Sequence, residues 1–351
     1  MFKRLKLAIS LGLSCYFSLS YADTKPEAFF DYTWGRGLSV SQNHLTIGGY
    51  MNASLDHQTA QPTNLTLNNL SLFITLSPID SIRFFSEIEL DNWTSLQKNR
   101  RAKDAFKVER LYVDFLATES LTVRVGKFLT PFGYWNVVHA APLVWTVTRP
   151  LANSYQSFPT HSNGVMLSEA LTFGEHSLDM SVYVEDSTHL EPRDDKVEFK
   201  HAAGARLHLE LFEQLQLGFS YLAFNKRSVE NRAVNHLMGA DMLWKKNNFE
   251  LQMEVNYRYA RDEQGHEMQF YVQGVAPLGG NVFAVARYEH LQGRHEIENE
   301  EMWKRNTAHL GVLGLAWKPY TPLIFKAEYR FGDNNERIAP SGFFSSVSML
   351  F

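Results

Sequence analysis

The chain has 351 residues, with 34 lysines and arginines against 38 aspartates and glutamates and a formal charge of −4. Charges of both signs are interspersed on a mildly acidic balance, so nothing points to nucleic-acid binding. The hydrophobic fraction is an ordinary 44% and the mean hydropathy is −0.27, so no helical membrane span is readable beyond the N-terminus.

The N-terminus opens with a basic stretch, Lys3, Arg4 and Lys6, followed by an apolar run over 7–19 and small residues at Ser20 and Ala22. This is the pattern of a secretory signal peptide over 1–22. The run falls short of the roughly 20 apolar residues of a spanning helix. A lipoprotein reading of Cys15 is disfavoured, because Gly12 stands three residues before it where such signals carry leucine. Cleavage takes the formal charge from −4 to −7 and removes the only cysteine. The exported chain then has no disulfide, thiolate metal site or cysteine nucleophile. Residues 23–44 read as a short N-terminal periplasmic segment.

From residue 45 onward, alternating apolar and polar segments recur. They fall at about 45–55, 67–77, 81–91, 106–117, 120–127, 162–172, 176–186, 199–211, 214–226, 234–245, 248–260, 266–277, 281–292, 306–318, 321–332 and 342–351. Period-two alternation is the signature of strands with two unlike faces. In 249–259, Phe249, Leu251, Met253, Val255, Tyr257 and Tyr259 oppose Glu250, Gln252, Glu254, Asn256 and Arg258. The last segment carries Phe343, Val347, Met349 and Phe351 on one face and ends on an aromatic residue, as closing strands of outer-membrane barrels do. Its length fits a tilted membrane-crossing strand of about 9–11 residues.

Connections alternate between short and long. The short ones carry turn residues, as at 78–80, 173–176, 245–248 and 277–280, while long ones fall at about 56–66, 92–105, 128–161, 187–198, 293–305 and elsewhere. Short periplasmic turns and longer extracellular loops are the rule of outer-membrane barrels, as is an even strand number. The expected fold is therefore an all-β, transmembrane antiparallel β-barrel of sixteen strands over 45–351. A soluble β-sandwich also alternates, but it does not need sixteen strands or aromatics beside most turns. Phe173, Phe212, Trp244, Phe249, Trp317 and Tyr320 are expected at the periplasmic rim. Tyr221, Phe224, Tyr257, Tyr259, Tyr288 and Phe331 are expected at the outer rim.

A barrel of sixteen strands is wide enough to keep a water channel. Charged faces must point into it, since an ionised group on the lipid face costs about 2–4 kcal/mol at the midplane. The inferred lumen bases are Arg83, Arg110, Arg124, Arg206, Arg258, Arg287, Lys326 and Arg330. The inferred lumen acids are Glu87, Glu89, Asp91, Asp114, Asp179, Glu185, Glu210, Glu250, Glu254, Glu289 and Glu328. Much of this set is expected to solvate the wall and pair internally. His44, His208, His236 and His309 read as wall residues.

The connection at 128–161 is far longer than an ordinary loop. It contains no Asp or Glu, carries Arg149 with Lys127 just before it, and is rich in aromatics, among them Tyr134, Trp135, Trp145 and Tyr155. A large apolar loop must bury itself. Inside the barrel it would narrow the pore; at a subunit contact it would stabilise an oligomer. The candidate pore-lining and constriction residues are Arg83, Arg110, Arg124, Lys127, Arg149, Tyr134, Trp135, Trp145, Asp114 and Glu87. Stacking of Tyr134, Trp135 and Trp145 on a sugar or aromatic solute is weighed against packing of the loop onto the wall.

Gly126, Lys127, Phe128, Pro131, Phe132 and Gly133 spell G-K-F-x-x-P-F-G after the fifth segment. This stretch, the preceding strand from Glu109 to Phe115, and Ile47 to Tyr50 resemble porins of the phosphate-selective O and P type. The resemblance implies a sixteen-stranded, usually trimeric passive channel of the bacterial outer membrane, with its third loop folded into the pore. Phosphate selectivity in that family rests on an arginine ladder and a lysine cluster; no such ladder is placed in this sequence, and Arg110, Arg124, Lys127 and Arg149 are the candidates for a basic constriction patch.

The functional expectation is passive diffusion of small hydrophilic solutes or ions, with outer-membrane lipids as surroundings and no cofactor or catalytic residue. A substrate-specific channel for a sugar or an anion is the alternative, and a barrel hydrolase or adhesin is a weaker one. No G-x-S-x-G or HExxH pattern is present. Residues 23–44 are too few for the plug domain of an energy-coupled transporter.

Overall fold

Among the described residues, eighteen strands follow one another in a single antiparallel sheet, and its last strand returns to pair with its third. They are β1 (Phe30–Thr33), β2 (Gly37–Val40), β3 (Leu45–Gln58), β4 (Asn64–Ile79), β5 (Ile82–Ser95), β6 (Phe106–Leu116), β7 (Leu121–Leu129), β8 (His161–Phe173) and β9 (His176–Asp186). The second half comprises β10 (Phe199–Leu211), β11 (Leu215–Lys226), β12 (Val234–Lys246), β13 (Phe249–Tyr259), β14 (Glu267–Gly279), β15 (Val282–Ile297), β16 (Glu300–Tyr320), β17 (Leu323–Asp333) and β18 (Gly342–Leu350). This computed structural model describes residues 30–40, 45–59, 62–95, 106–153, 158–186, 199–226, 234–259, 266–297, 300–333 and 339–351. The expected signal peptide, His44 and Tyr155 lie outside the described residues.

Strands β3 to β18 are the sixteen-stranded barrel, closed by the register Phe343↔His57 through Leu350↔Tyr50. Closure leaves no open sheet edge, which a lipid environment requires. Beyond β18, Phe351 and Gly49 exchange both backbone hydrogen bonds at 2.9 Å. The segment read as 23–44 holds more structure than expected. Its β1 and β2 form a hairpin, and β2 pairs with the start of β3 at Leu38↔Ile47. At four residues each, these strands sit at the shortest length at which alternation can be read.

The turns obey local chemistry. Asn247 and Asn248, between β12 and β13, sit at φ 51° and 65°, a two-residue turn with both central residues left-handed, which asparagine tolerates. The two faces separate as the alternation implies. Phe84, Val125, Val182, Phe219, Met253, Leu313 and Phe325 are exposed on the outside, forming the apolar band that lipid must cover. Phe173, Phe212, Phe249, Trp317 and Tyr320 are exposed near the short turns, and Tyr221, Tyr257, Tyr259, Tyr288 and Phe331 toward the other end. Phe224 is a correction. It points inward and is buried with Leu222 and Leu237, because its neighbour Tyr221 takes the outward parity of β11. A closed barrel with this outer band, polar inside, belongs in the bacterial outer membrane.

Candidate functional site in the barrel lumen

The G-K-F-x-x-P-F-G stretch ends β7 and launches the 130–160 connection. Gly126 lies at φ 134°, and a Cβ there would come within 2.3 Å of the Leu111 carbonyl oxygen, so only glycine lets β6 and β7 approach. At the neck of the connection, Thr130 N–H donates to the Thr160 carbonyl at 2.9 Å. Asn136 Nδ2 donates to both carbonyls, at 2.8 Å to Thr130 and 3.0 Å to Thr160. Two short 3-10 turns, Ala141–Leu143 and Leu151–Asn153, punctuate the rest.

From that neck the connection runs into the barrel and reaches the opposite wall, built by β11, β13, β15 and β17. Gly133 N–H donates to Ser220 Oγ at 3.3 Å. Glu254 Oε2 accepts the backbone N–H groups of Tyr134 and Trp135, each at 3.2 Å, while its Oε1 accepts Asn153 Nδ2 at 3.1 Å. Glu289 accepts Leu151 N–H at 2.6 Å. Glu328 accepts Val147 N–H at 2.7 Å and Thr148 N–H at 3.0 Å. Two cations complete the set. Arg287 donates to Thr146 Oγ1 and to the Thr148 carbonyl, and Lys326 Nζ donates to the carbonyls of Ala141 at 2.9 Å and Thr146 at 3.0 Å. All five wall groups are buried. Charges taken out of water need such partners, and a loop without carboxylates supplies them from its own backbone.

The wall formed by β5, β6 and β7 is organised differently. Arg124 forks onto Asp114 at 2.7 and 2.9 Å, Arg110 pairs with Glu87 at 2.5 Å, and Lys107 pairs with Asp91 at 2.8 Å. Beneath these pairs runs a row of inward rings, Tyr50, Phe73, Phe85 and Tyr112, with successive centroids 5.8, 6.0 and 5.1 Å apart. The Arg124 guanidinium lies 3.8 Å from the Tyr112 ring centre and that of Arg110 4.7 Å from Phe85, within cation–π range.

Arg110, Arg124, Asp114 and Glu87 therefore come together on one wall, and Arg83 stands opposite Asp114 in the β5–β6 register. Lys127 reaches the Val108 carbonyl at 2.6 Å. Tyr134 and Trp135 lie with Glu254 on the far wall, and Trp135 is buried. Trp145 packs against Phe283 at 4.8 Å with Lys318 Nζ 3.6 Å from its ring centre. Arg149 is half-buried within the connection. The rings of Trp135 and Trp145 are thus engaged by protein.

Sequence reasoning missed Asp241, which holds Arg206 by two bonds of 2.7 and 2.8 Å, and Glu267, which holds Arg258 at 3.0 Å. Both follow from inward parity once Arg206 and Arg258 are recognised as needing partners. Glu109 was hidden by a β-bulge opposite Glu87 and Ile88, which adds a residue and breaks period two. Glu109 Oε1 lies 2.8 Å from His161 Nε2 and 4.0 Å from His139 Nε2. Burial, with Arg149 nearby, pushes the His139 imidazole down to about 3.

No family model matches the chain. An uncharacterized protein of Aquifex aeolicus is 29% identical over 135 residues, covering 36% of this chain and 30% of that protein. Solved structures are similar across the whole barrel. OmpT of Vibrio cholerae aligns over 89% of this chain and 99% of its own with a TM-score of 0.63 and 10% identity. The outer membrane channel DcaP of Acinetobacter baumannii aligns over 90% and 100% with a TM-score of 0.62 and 12% identity. An anion-selective porin from Comamonas acidovorans aligns over 88% and 100% with a TM-score of 0.62 and 12% identity. At these identities the likeness is one of fold: a sixteen-stranded outer-membrane barrel.

Proposed function

We propose that the chain is an outer-membrane porin through which small hydrophilic solutes and ions diffuse passively, with the 130–160 connection narrowing the water path. The observation that carries this reading is the anchoring of that connection, across the lumen, to Glu254, Glu289, Glu328, Arg287 and Lys326. A span pinned at both its neck and the far wall divides a cylinder otherwise wide enough to stay wet.

The water path runs along the β5–β7 wall. Side chains there keep contact with solvent, 22% of Arg124 and 30% of Lys107, whereas Arg287 and Glu289 on the far wall keep 0%. Lys107, Arg110 and Arg124 on the path each pair with a carboxylate, so the lining is close to neutral in sum and the ion preference weak. The phosphate-selective variant of this function is less well supported, because Arg110 and Arg124 are already committed to Glu87 and Asp114. The chain works as a homotrimer, the assembly that the family resemblance implies. Purified protein in a planar bilayer should give ohmic steps with weak selectivity, in multiples of three. A bilayer that stays silent to salt, or a pore strongly selective for phosphate, defeats the proposal.

A further inference from the structure

On the outer face of the barrel, away from the lumen, His290 on β15 and His309 on β16 stand directly opposite each other in the register. Their Nδ1 atoms are 3.5 Å apart and their ring centres 4.8 Å apart. Both are half-buried. The neighbouring odd residues of β15, Arg287, Glu289 and Leu291, are buried in the lumen, so His290 has the opposite parity and faces outward. His309 is eight residues before Trp317 of the periplasmic girdle on the same strand. At about 3.3 Å per residue and a tilt of about 40°, that spans about 20 Å of the apolar band and sets the pair at its outer edge, where water reaches.

Two imidazole nitrogens bound to one ion at about 2.0–2.1 Å each, in tetrahedral or cis arrangement, are separated by about 3–3.4 Å. The observed pair is already near that spacing, on a rigid cross-strand frame that needs only a small ring rotation. Tyr288 Oη lies 2.7 Å from His309 Nδ1. That hydrogen bond engages the nitrogen a cation would take. The same register row continues to Asp333 on β17. Elsewhere on this rim a histidine meets a tyrosine instead, as in His236 with Tyr221 and His266 with Tyr257. Among the described residues of this rim, two histidines converge only at His290 and His309.

We infer that His290 and His309 chelate a divalent transition-metal ion of the imidazole-preferring kind, Cu2+ or Zn2+, at the outer rim and outside the solute path. Coordination displaces the Tyr288 hydrogen bond and changes no oxidation state. Cu2+ binds such ligand sets more tightly than Zn2+ and is the probe of choice. Untagged full-length protein, folded in detergent micelles, is titrated with Cu2+ and followed by electron paramagnetic resonance. The expected result is one ion per chain with coupling to two imidazole nitrogens. H290Q and H309Q each weaken binding by about a hundredfold. H236Q/H266Q leaves it unchanged, and Y288F binds at least as tightly as the parent chain. Heat-modifiable migration on gels verifies that every variant is folded, and H290N and H309N stand in for any that is not. Copper uptake that survives in H290Q/H309Q, a single-nitrogen spectrum, or loss of binding in Y288F overturns the assignment.

Discussion

Trp135 donates its backbone N–H to Glu254 at 3.2 Å, joining residues 119 apart in sequence. The same carboxylate holds Tyr134 N–H and the Asn153 side chain, so one residue of the far wall ties down two separate parts of the lumen connection. In Glu254→Ala these donors lose their acceptor. A buried donor left unsatisfied costs about 1–3 kcal/mol, and several are exposed together. The connection should loosen while the sixteen-stranded wall persists. Single-channel recordings should show higher or noisier conductance, and protease should cut within 130–160 in the variant. A variant with unchanged current and unchanged cleavage means that Glu254 is not an anchor.

The barrel was legible because lipid and water impose a rule on every second residue. Phe249 to Tyr259 could hardly be read otherwise, and the sixteen expected segments correspond to β3 through β18. The rule failed where parity breaks or side chains are silent. Glu109 lies at a bulge, and Phe224 is an aromatic whose inward parity on β11 outweighs the composition that suits a girdle. The anchors Glu254, Glu289 and Glu328 were readable as lumen acids. What they hold was not, since backbone N–H groups of Val147 or Leu151 leave no mark in a sequence. The neck was half visible, as a glycine-bearing motif whose geometric cause, the approach of Glu254 to Gly133, appears only in three dimensions.

That approach gives a second test. Gly133 sits at φ 65°, and a Cβ there would lie 2.2 Å from Glu254 Oε1. Gly133→Ala carries the left-handed penalty of about 1–2 kcal/mol in addition to the clash. It should open the connection as Glu254→Ala does. In the double variant the clash no longer exists, so the two effects should add to less than their sum in a thermal unfolding cycle. Strict additivity would show that the two residues do not sense each other.

On the proposed path, the paired wall of β5–β7 is expected to set the ion preference. Arg110→Gln and Arg124→Gln together remove two positive charges and free Glu87 and Asp114. The reversal potential in a potassium chloride gradient should move toward cation selectivity. Glu87→Gln with Asp114→Asn should move it the other way. Potentials that stay put in both double variants would take the solute path off this wall.

Acid should loosen the connection through His139. In place, its imidazole is held at about 3 by burial first and by Arg149 second, against the pull of Glu109; released into water it titrates at about 6.5. The docked state is therefore favoured above pH 6.5 and loses ground as the pH falls from there toward about 3, because the released state takes up the proton first. Each pH unit within that window is worth about 1.4 kcal/mol, so at pH 5 the docked state is weakened by about 2 kcal/mol relative to neutrality. Current flicker should rise between pH 7 and pH 5 in the parent protein and rise less in His139→Asn, whose amide can still donate to the Asn136 carbonyl that His139 Nδ1 meets at 3.0 Å. His161, Glu109 and Arg110 surround the same pocket in both proteins, so the difference between the two pH profiles isolates His139. Superimposable profiles would assign the acid response to another group.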